Sequence, residues 1–459
     1  MRVAIIGGGI SGLSAAWFVA AGLPDAEVIV LEASPEVGGK LRCGEVAGIS
    51  IDVGAEAMLT ARPEGVELLA AVGLEGERIA PLTTSASVFA GGIRHPMPAR
   101  TMMGIPGSVD AARESGLFTA AALSTIAEEP SRPPLAPLQD DVAVGALVRD
   151  RLGDEVVERL VEPLLGGVYA GRADALSLQA TVPSLAAALT GGGSLVEASA
   201  AVADRGTRAT GSVFTSLADG LGSLPHALVE RGRFEVRCNA TVRALRQSTT
   251  GFVLETGPVP EPEFVEADAV VVAVPAAKAA RLLADISSAA ARELADIDSA
   301  SVAIVTFAFR DTALPPGSGL LVGAGERLAV KGVTISSQKW PMATDGLTVL
   351  RASVGRAGDN VALQRDDGEL IALALQELRP LLGITTSPVD ALVTRWGGGL
   401  PQYAVGHVER IARVRAAVAD VPALAVCGAA FDGVGIPACI AAARAAADRV
   451  LAELARRGQ

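Results

Sequence analysis

The chain has 459 residues and half of them are hydrophobic, which is enough to bury about two or three domain-sized cores. Its formal net charge of −12 repels nucleic-acid phosphates and argues against a nucleic-acid partner, while leaving room for a local cationic pocket that binds a small anion. Four cysteines without a CxxC pair and only three histidines argue against a disulfide framework and against a metal site, and they suit free thiols in a reducing cytoplasm, where we expect the protein to reside.

The first 23 residues include an apolar stretch whose composition resembles that of a signal peptide or a membrane span. Its glycines lie where a strand would turn into a helix, however, and a second strand with charged ends follows. No other uninterrupted run approaches the ~20 apolar residues that cross a bilayer. The sequence therefore predicts no transmembrane segment, and contact with a membrane surface stays open.

The first predicted elements form a βαβ unit. Residues 3–6 are a short apolar strand, residues 7–12 a tight turn, residues 13–21 a helix of small side chains and residues 28–31 a second strand. This is the order of elements that opens a dinucleotide-binding fold.

The turn of this unit carries the pattern GxGxxG, formed by Gly7, Gly9 and Gly12. The first glycine permits the turn, the second lets a pyrophosphate approach the backbone, and the third lets helix and strand pack closely. Glu32 ends the second strand about twenty positions later, where a carboxylate accepts hydrogen bonds from ribose hydroxyls. The predicted cofactor contacts here are Gly7, Gly8, Gly9, Ile10, Ser11, Gly12, Glu32 and Ala33. The pattern alone leaves NAD and FAD open.

Residues 95–200 are rich in Ala, Leu and Gly with helical periodicity, interrupted by a proline-rich loop at 129–137, and we predict a helical insertion. Strands follow at 234–242, 251–256 and 269–274, the last of them a continuous β-branched run of the kind buried in a parallel sheet.

A second group of strands is predicted at 300–309, 347–354 and 391–396, with a helix at 369–382, and it suits a mixed sheet. The chain closes with a buried strand at 423–426 and an Ala-rich helix at 436–457. We therefore predict an α/β fold without internal repeats, assembled from three domains. They are a Rossmann-type cofactor domain (1–60, 210–275 and 391–459), a mixed-sheet substrate domain (61–93 and 276–390) and a helical insertion domain (94–209).

The segment after Glu32, ASPEVGGKLR, resembles the flavin-binding extension of the monoamine oxidase and phytoene desaturase superfamily. The resemblance implies FAD, with Gly39 exposing backbone to the pyrophosphate and Lys40 or Arg42 offsetting its charge. A solvated surface is the alternative environment for these two cations. The segment IDVGAEA resembles the strand that runs beside the flavin in this superfamily, which implies contacts from Gly54, Ala55, Glu56 and Ala57.

Three further cofactor contacts follow from the same resemblance. Val242 occupies the place of a mid-chain valine that contacts the cofactor, although a core valine is almost as good an interpretation. Trp396 matches an aromatic position beside the cofactor, and Val434, Gly435 and Ile436 precede the last helix, whose N–H groups can face the flavin ring. Because residues 390–410 contain no cysteine, we expect the FAD to be bound noncovalently.

Four segments indicate which branch of the superfamily the chain resembles, namely residues 94–108, 161–185, 336–341 and 400–407. Together they are similar to the protoporphyrinogen and coproporphyrinogen oxidases of haem synthesis, in particular to the soluble enzymes of Gram-positive bacteria, and generic amine oxidases lack this set. The resemblance implies a six-electron oxidation of coproporphyrinogen III to coproporphyrin III, with O₂ as acceptor and H₂O₂ as product. Protoporphyrinogen IX is the alternative substrate, because it differs by vinyl against propionate at two positions.

The implied chemistry needs no catalytic side chain, since flavin N5 accepts the hydride and the porphyrinogen delocalises the resulting charge. The substrate propionates need cations, and the candidates are Arg62, Arg172, Lys331 and Lys339, each of which could instead be a solvated surface charge. The competing hypotheses are an amine oxidase or carotenoid desaturase, a flavin- or haem-binding carrier, and an NAD-binding Rossmann protein. A transient contact with the next enzyme of haem synthesis is a further expectation.

Overall fold

The computed structural model describes residues 1–207 and 211–457. The strands are β1 (Arg2–Ile6), β2 (Glu27–Leu31), β3 (Cys43–Val46), β4 (Ile49–Asp52), β5 (Met58–Leu59), β6 (Arg78–Ile79), β7 (Ala86–Ala90), β8 (Ile93–Pro96), β9 (Thr101–Met102), β10 (Ile105–Pro106), β11 (Phe214–Leu217), β12 (Glu235–Arg237), β13 (Ala244–Gln247), β14 (Phe252–Thr256), β15 (Glu263–Ala267), β16 (Ala269–Val272), β17 (Ser299–Arg310), β18 (Gly319–Val322), β19 (Val330–Thr334), β20 (Leu347–Val354), β21 (Asp390–Pro401) and β22 (Leu424–Val426). The helices are α1 (Ile10–Gly22), α2 (Pro63–Ala71), α3 (Val109–Glu114), α4 (Ala120–Glu128), α5 (Val144–Leu152), α6 (Asp154–Val156), α7 (Glu162–Tyr169), α8 (Leu178–Thr181), α9 (Pro183–Ala188), α10 (Leu195–Thr207), α11 (Ser223–Arg231), α12 (Ala276–Leu283), α13 (Ser288–Ala295), α14 (Ser336–Lys339), α15 (Asp367–Leu382), α16 (His407–Ala419) and α17 (Ile436–Arg457).

A parallel sheet forms the centre of the first layer, with the strand order β12-β2-β1-β16-β22. Its central strands are apolar and almost entirely buried, because helices cover both faces of a parallel sheet. Helix α1 packs against α17, and its small side chains permit the close approach. The predicted βαβ unit and the Rossmann-type core are confirmed.

A mixed sheet forms the second layer, with the order β21-β17-β20-β19-β18-β7-β8. Strands β18 and β7 pair in parallel, and the other neighbours pair antiparallel. Helix α15 covers one face, where Leu370 and Leu378 pack against Val305 and Phe307. Three strands of this sheet, β17, β20 and β21, were predicted from the sequence, whereas β7, β8, β18 and β19 were not.

The other face of the mixed sheet is only partly covered. Cross-strand pairing places Ile304, Ser353, Gly332, Leu321 and Val88 in one row across this face. Helix α7 crosses the row at Leu321, because Gly167 lacks a side chain there and a Cβ at that position would lie 3.5 Å from Leu321 Cδ2. Ile304, Leu321, Gly332 and Ser353 are nevertheless partly exposed, and the open space beside them is called the cleft below.

The helical part, α3 to α10, has a separate core that also includes Val88 and Tyr403. A buried ion pair between Arg151 and Glu129 (2.6 Å) lies at its edge, and Glu129 also accepts hydrogen bonds from the hydroxyl of Ser194 and the N–H of Leu195. Because every oxygen of this carboxylate has a partner, the charge is tolerated in the interior.

Some elements pack with a sheet that belongs to a different predicted domain. Helices α12 and α13 pack in the same apolar core as the parallel sheet, although they follow the predicted boundary at 275, and β21 belongs to the mixed sheet, although it follows the boundary at 390. The boundary between 209 and 210 lies outside the described residues. The division into domains therefore stays a prediction, while the α/β class is confirmed. Within 1–207 and 211–457, every helix is too short or too polar to span a bilayer.

Candidate active site

A cavity of about 800 Å³ lies at the carboxyl ends of β1, β2 and β16. Twelve of the residues predicted to contact a cofactor line it: Gly7, Gly9, Ile10, Ser11, Glu32, Ala33, Gly39, Lys40, Ala55, Val242, Val434 and Ile436. The other predicted contacts, Gly8, Gly12, Arg42, Gly54, Glu56, Ala57, Trp396 and Gly435, do not line this cavity. A ligand as large as a dinucleotide fits such a volume.

Two glycine turns meet at the start of α1. The N–H of Gly38 donates to the carbonyl of Gly8 (2.8 Å), and Gly38 and Gly39 both have positive φ (+109° and +59°). The helix starts after Gly9, whose lack of a side chain leaves the first N–H groups of α1 facing the cavity. This arrangement suits a pyrophosphate bound by backbone groups.

Glu32 is fixed at the end of β2 by two backbone donors. The N–H of Gly8 donates to its Oε2 (2.5 Å), and the N–H of Ser34 donates to its Oε1 (2.7 Å). Gly8 therefore acts on the site through Glu32. The remaining lone pairs of this carboxylate face the cavity, where they can accept from ribose hydroxyls.

The structure separates the two predicted phosphate cations. Lys40 lines the cavity and donates to the carbonyl of Gly399 (2.7 Å), and desolvation by the surrounding protein lowers its pKa. Arg42 points away and forms an ion pair with Glu36 at the surface. The geometry therefore places Lys40, but not Arg42, in the wall of the cavity.

The segment after β4 supports the cavity wall from behind. Ala55 lines the cavity, and its N–H donates to the carbonyl of Lys40 (3.1 Å). A side chain at Gly54 would overlap that carbonyl. The indole N–H of Trp396 donates to the carbonyl of Val53 (3.2 Å), so this aromatic ring packs behind the segment.

Glu56 has its carboxylate in a buried network instead of the cofactor cavity. Lys339 donates to Oε1 (2.6 Å) and Arg351 donates to Oε2 (2.7 Å), while a second N–H group of Arg351 donates to the carbonyl of Gly54 (2.6 Å). Burial alone would raise the pKa of Glu56, but the charges of Arg351 and Lys339 outweigh it and lower the pKa. Lys339, a predicted substrate cation, is therefore already paired.

A second cavity, of about 520 Å³, lies on the far side of this network. Its wall includes Asp52, which accepts hydrogen bonds from the N–H groups of Leu221 and Gly222 (both 2.9 Å). Desolvation raises the pKa of Asp52 to about 6 despite these bonds. Ser336 and Trp340 also line this cavity, and Ser336 Oγ and Trp340 Nε1 have no hydrogen-bond partner among residues 1–207 and 211–457.

The loop that closes the cofactor cavity on the side of α17 is held by two aromatic residues. The hydroxyl of Tyr403 donates to the carbonyl of Ala429 (2.5 Å), and the ring of His407 stacks on Tyr403 with a centroid distance of 4.1 Å. Burial lowers the pKa of His407 to about 4, so its ring is neutral at physiological pH. This histidine is a packing residue of the loop.

The remaining substrate cations lie in two places. Arg62 precedes α2 and pairs with Glu64 (3.1 Å). Arg172 and Lys331 both lie close to Arg356, because the charges of Arg356 and Arg172 contribute to lowering the pKa of Lys331. Among the described residues, no group of three or more His, Cys, Asp or Glu side chains forms a candidate metal site.

Several cavity residues were missed by sequence reasoning, namely Arg243, Lys278, Arg281, Gly398, Gly399 and Cys439. Lys278 and Arg281 lie on α12, with four strands between them and Val242, the nearest predicted contact in the chain, and no motif marked them. Cys439 is buried, its thiol is directed at the carbonyl of Gly433 (3.8 Å), and burial raises its pKa. The cavity as a whole, with glycine amides, the carboxylate of Glu32 and the cations Lys40, Arg243, Lys278 and Arg281, has the groups that a dinucleotide phosphate and ribose require.

Comparison with known proteins agrees with this geometry. The model of the flavin containing amine oxidoreductase family matches residues 10–451. The chain is 41% identical to a coproporphyrinogen III oxidase of Mycobacterium leprae over 98% of both chains. It is 33% identical to the Bacillus subtilis protein of the same name, over 99% of this chain and 98% of the other.

A solved structure from Exiguobacterium sp. 255-15 superposes with a TM-score of 0.88 at 34% identity, over 98% of this chain and 99% of the other. Similarity therefore extends over nearly the whole length, in sequence and in fold, as the predicted family resemblance requires. The chain is a flavin oxidoreductase of the flavin containing amine oxidoreductase family and belongs, within it, to the coproporphyrinogen III oxidases.

Proposed function

We propose that the protein is an FAD-dependent oxidase of haem biosynthesis that converts coproporphyrinogen III to coproporphyrin III, with O₂ as electron acceptor and H₂O₂ as the second product. The single observation that carries the proposal is the cavity of about 800 Å³ in which the glycine turns, Glu32 and Lys40 converge. The relatives named above support the choice of substrate.

FAD is the form of flavin that the cavity suits. Glu32 faces the position of a ribose, and the amides after Gly9 face the position of a pyrophosphate, so both halves of a dinucleotide have partners. Noncovalent binding is supported by Cys439, because its raised pKa keeps the thiol protonated and therefore weakly nucleophilic.

When bound, the flavin supplies a hydride acceptor at N5 for three successive two-electron oxidations, and O₂ removes the electrons each time. The protein has to hold the substrate methylene bridge at roughly 3 to 3.5 Å from that acceptor and to keep water out. The strand segment of Gly398 and Gly399 lines the cavity where substrate and cofactor would meet, and its missing side chains permit close approach. No side chain is assigned a proton-transfer role, in keeping with the neutral, stacked ring of His407.

The substrate carboxylates need cations along the cleft. Arg172 and Lys331 lie beside it and are proposed as partners, together with Arg62 at the start of α2. Lys339 is the weakest of the four candidates, since Glu56 already occupies its ammonium group. Contact with a membrane surface and transfer of product to the next enzyme stay predictions.

The test is a comparison of two substrates under air. The purified protein is mixed with coproporphyrinogen III or with protoporphyrinogen IX, and porphyrin fluorescence, O₂ consumption and H₂O₂ are recorded together. We expect a flavin absorption spectrum, release of intact FAD on heat denaturation, and faster oxidation of coproporphyrinogen III. Faster oxidation of protoporphyrinogen IX would show that it, and not coproporphyrinogen III, is the substrate. Binding of a porphyrinogen without turnover would indicate a carrier, and a purified protein without flavin would overturn the proposal.

A further inference from the structure

Three cations from different parts of the chain meet at the edge of the cleft. Arg172 follows α7, Lys331 lies in β19, and Arg356 follows β20. The N–H of Ala357 donates to the carbonyl of Ala170 (2.7 Å), which joins the turn after β20 to the end of α7. The cluster therefore links the helical part of the chain to the mixed sheet.

Arg356 is oriented by one carboxylate. Its Nη1 donates to Oε1 of Glu162 (3.0 Å), and Oε2 of Glu162 accepts from the N–H of Ala173 (2.6 Å). Both side chains are largely buried, with 9% and 10% of their side-chain surface exposed. Glu162 thus has both oxygens occupied, and it holds the guanidinium in a fixed position.

Several N–H groups of the three cations are not used in hydrogen bonds to described residues. The guanidinium of Arg356 makes no hydrogen bond to a described residue beyond the one to Glu162, and the side chain of Arg172 makes none with residues 1–207 or 211–457. Lys331 donates to the carbonyl of Leu328, a neutral acceptor. One carboxylate therefore balances three cationic side chains in this cluster.

The positive charges of the two arginines affect the pKa of Lys331. Desolvation lowers the pKa of Lys331, and the charges of Arg356 and Arg172 lower it further, although Asp359 and Glu377 oppose them. Neither acid pairs with the cluster: Glu377 accepts from the N–H groups of Ala329 and Val330 on the opposite side of the sheet. An anion bound between the three cations would relieve this repulsion.

We propose that Arg356, with Arg172 and Lys331, binds substrate carboxylates at this end of the cleft, and that Glu162 is the positioning residue for Arg356. The inference rests on the proposed function, which it deepens by naming residues that select the substrate. Arg351 and Lys339 already pair with Glu56, so they are not counted in this subsite. A tetracarboxylate has four propionates to offer to cations, whereas protoporphyrinogen IX has only two, so an additional subsite for carboxylates favours coproporphyrinogen III.

The test compares kinetic constants for the two porphyrinogens in Arg356→Met, Arg356→Lys, Arg172→Met and Glu162→Gln. In R356M and R172M we expect KM for coproporphyrinogen III to rise roughly tenfold or more, with kcat within about twofold and KM for protoporphyrinogen IX little changed. R356K keeps the charge and should recover part of the loss, and E162Q should show the same substrate-selective effect in weaker form. The matched control is Arg413→Met, which removes an exposed arginine of α16 that pairs with Glu293 of α13.

Direct binding separates this inference from the proposed function. Coproporphyrin III and its tetramethyl ester are titrated into the FAD-loaded proteins and followed by absorbance. We expect R172M and R356M to weaken binding of the acid and to leave binding of the ester unchanged. If the wild type oxidises neither porphyrinogen, the proposed function fails while this titration still tests the cluster. Equal KM increases for both porphyrinogens would overturn the role in selection, and unchanged acid binding would overturn the subsite itself.

Discussion

The cofactor cavity and the substrate cleft differ in the groups that they offer to a ligand. The cavity presents backbone amides from glycine turns, beside the carboxylate of Glu32 and the side chains of Lys40, Arg243, Lys278 and Arg281. The cleft instead offers cationic side chains alone, from the segment after α7, from β19 and from the turn after β20. Amides at a helix start are fixed by the fold and suit one invariant ligand, whereas single side-chain charges suit a larger substrate whose carboxylates must be released as product.

This contrast has a consequence for mutation. Changes at the glycine turns of the cavity should act through the backbone and abolish cofactor binding as a whole. Changes in the cleft should act on individual charges and move KM more than kcat. The following predictions test the contrast, beginning with the largest expected effect.

Gly12→Ala should abolish FAD binding and with it the activity. A Cβ at Gly12 would overlap the carbonyl oxygen of Gly7 and lie 3.4 Å from Cβ of Ala273, so the turn that faces the pyrophosphate cannot keep its shape. The measurement is the flavin absorbance of the purified protein together with circular dichroism. The control is Gly76→Ala, where an added Cβ meets nothing within 4 Å. Retention of flavin in G12A would show that the cavity is less dependent on this turn than its geometry indicates.

Glu56→Gln should destabilise the protein by about 3 to 5 kcal/mol, because it leaves the buried charges of Lys339 and Arg351 without a counter-ion. Urea unfolding of the FAD-loaded protein measures the change. The control is Asp367→Asn, which breaks the exposed pair with Arg395 and should cost less than about 1 kcal/mol. Equal losses in both variants would contradict the distinction between buried and exposed pairs.

The same pair of regions shows how much the sequence could predict. Twelve of the twenty residues predicted to contact a cofactor line the cavity, because GxGxxG, Glu32 and the GGK segment are local patterns whose spacing carries the geometry. Strand β18 was not predicted, since only Leu320 and Val322 of its four residues face the core and they give too short a pattern to distinguish from a loop.

The cleft resisted prediction for another physical reason. Arg172 and Lys331 were selected as single cations, but their significance depends on Arg356, which is distant in sequence and is held by Glu162. Likewise, Lys339 could be recognised as paired only when Glu56 was seen beside it. Contacts between residues far apart in the chain leave no periodic trace in one sequence.

Acid should destabilise the protein through His407. Its pKa is about 4 in the folded chain and 6.5 in the unfolded chain, so the folded state binds fewer protons in that window and stability falls as pH drops below about 6.5. The full effect is on the order of 3 kcal/mol. His407→Phe keeps a ring on Tyr403 and should remove this acid sensitivity, as measured by urea midpoints at pH 7.5 and pH 5.

Asp52 opposes His407 over the same range and sharpens the test. Its pKa is about 6 in the folded chain against 3.8 when unfolded, so the folded state binds more protons there and gains stability as pH falls. Asp52→Asn should therefore make the protein more sensitive to acid, the reverse of H407F. A change of the same sign in both variants would contradict these assignments.

Lys40→Met should weaken FAD binding by roughly tenfold without abolishing it, because one charge-assisted contact is lost while the amides of the glycine turns stay in place. Lys40 also donates to the carbonyl of Gly399 on β21, so the substitution loosens the junction between the parallel and mixed sheets, and a modest rise in KM should accompany the weaker affinity. Arg42→Met is the matched comparison, since Arg42 pairs with Glu36 outside the cavity and its loss should leave FAD affinity unchanged. Apoprotein titrated with FAD and followed by flavin fluorescence distinguishes the two. A larger effect from R42M would mean that Arg42, and not Lys40, is the cation that contacts the FAD phosphates. The cofactor would then not be held by the backbone amides together with Lys40.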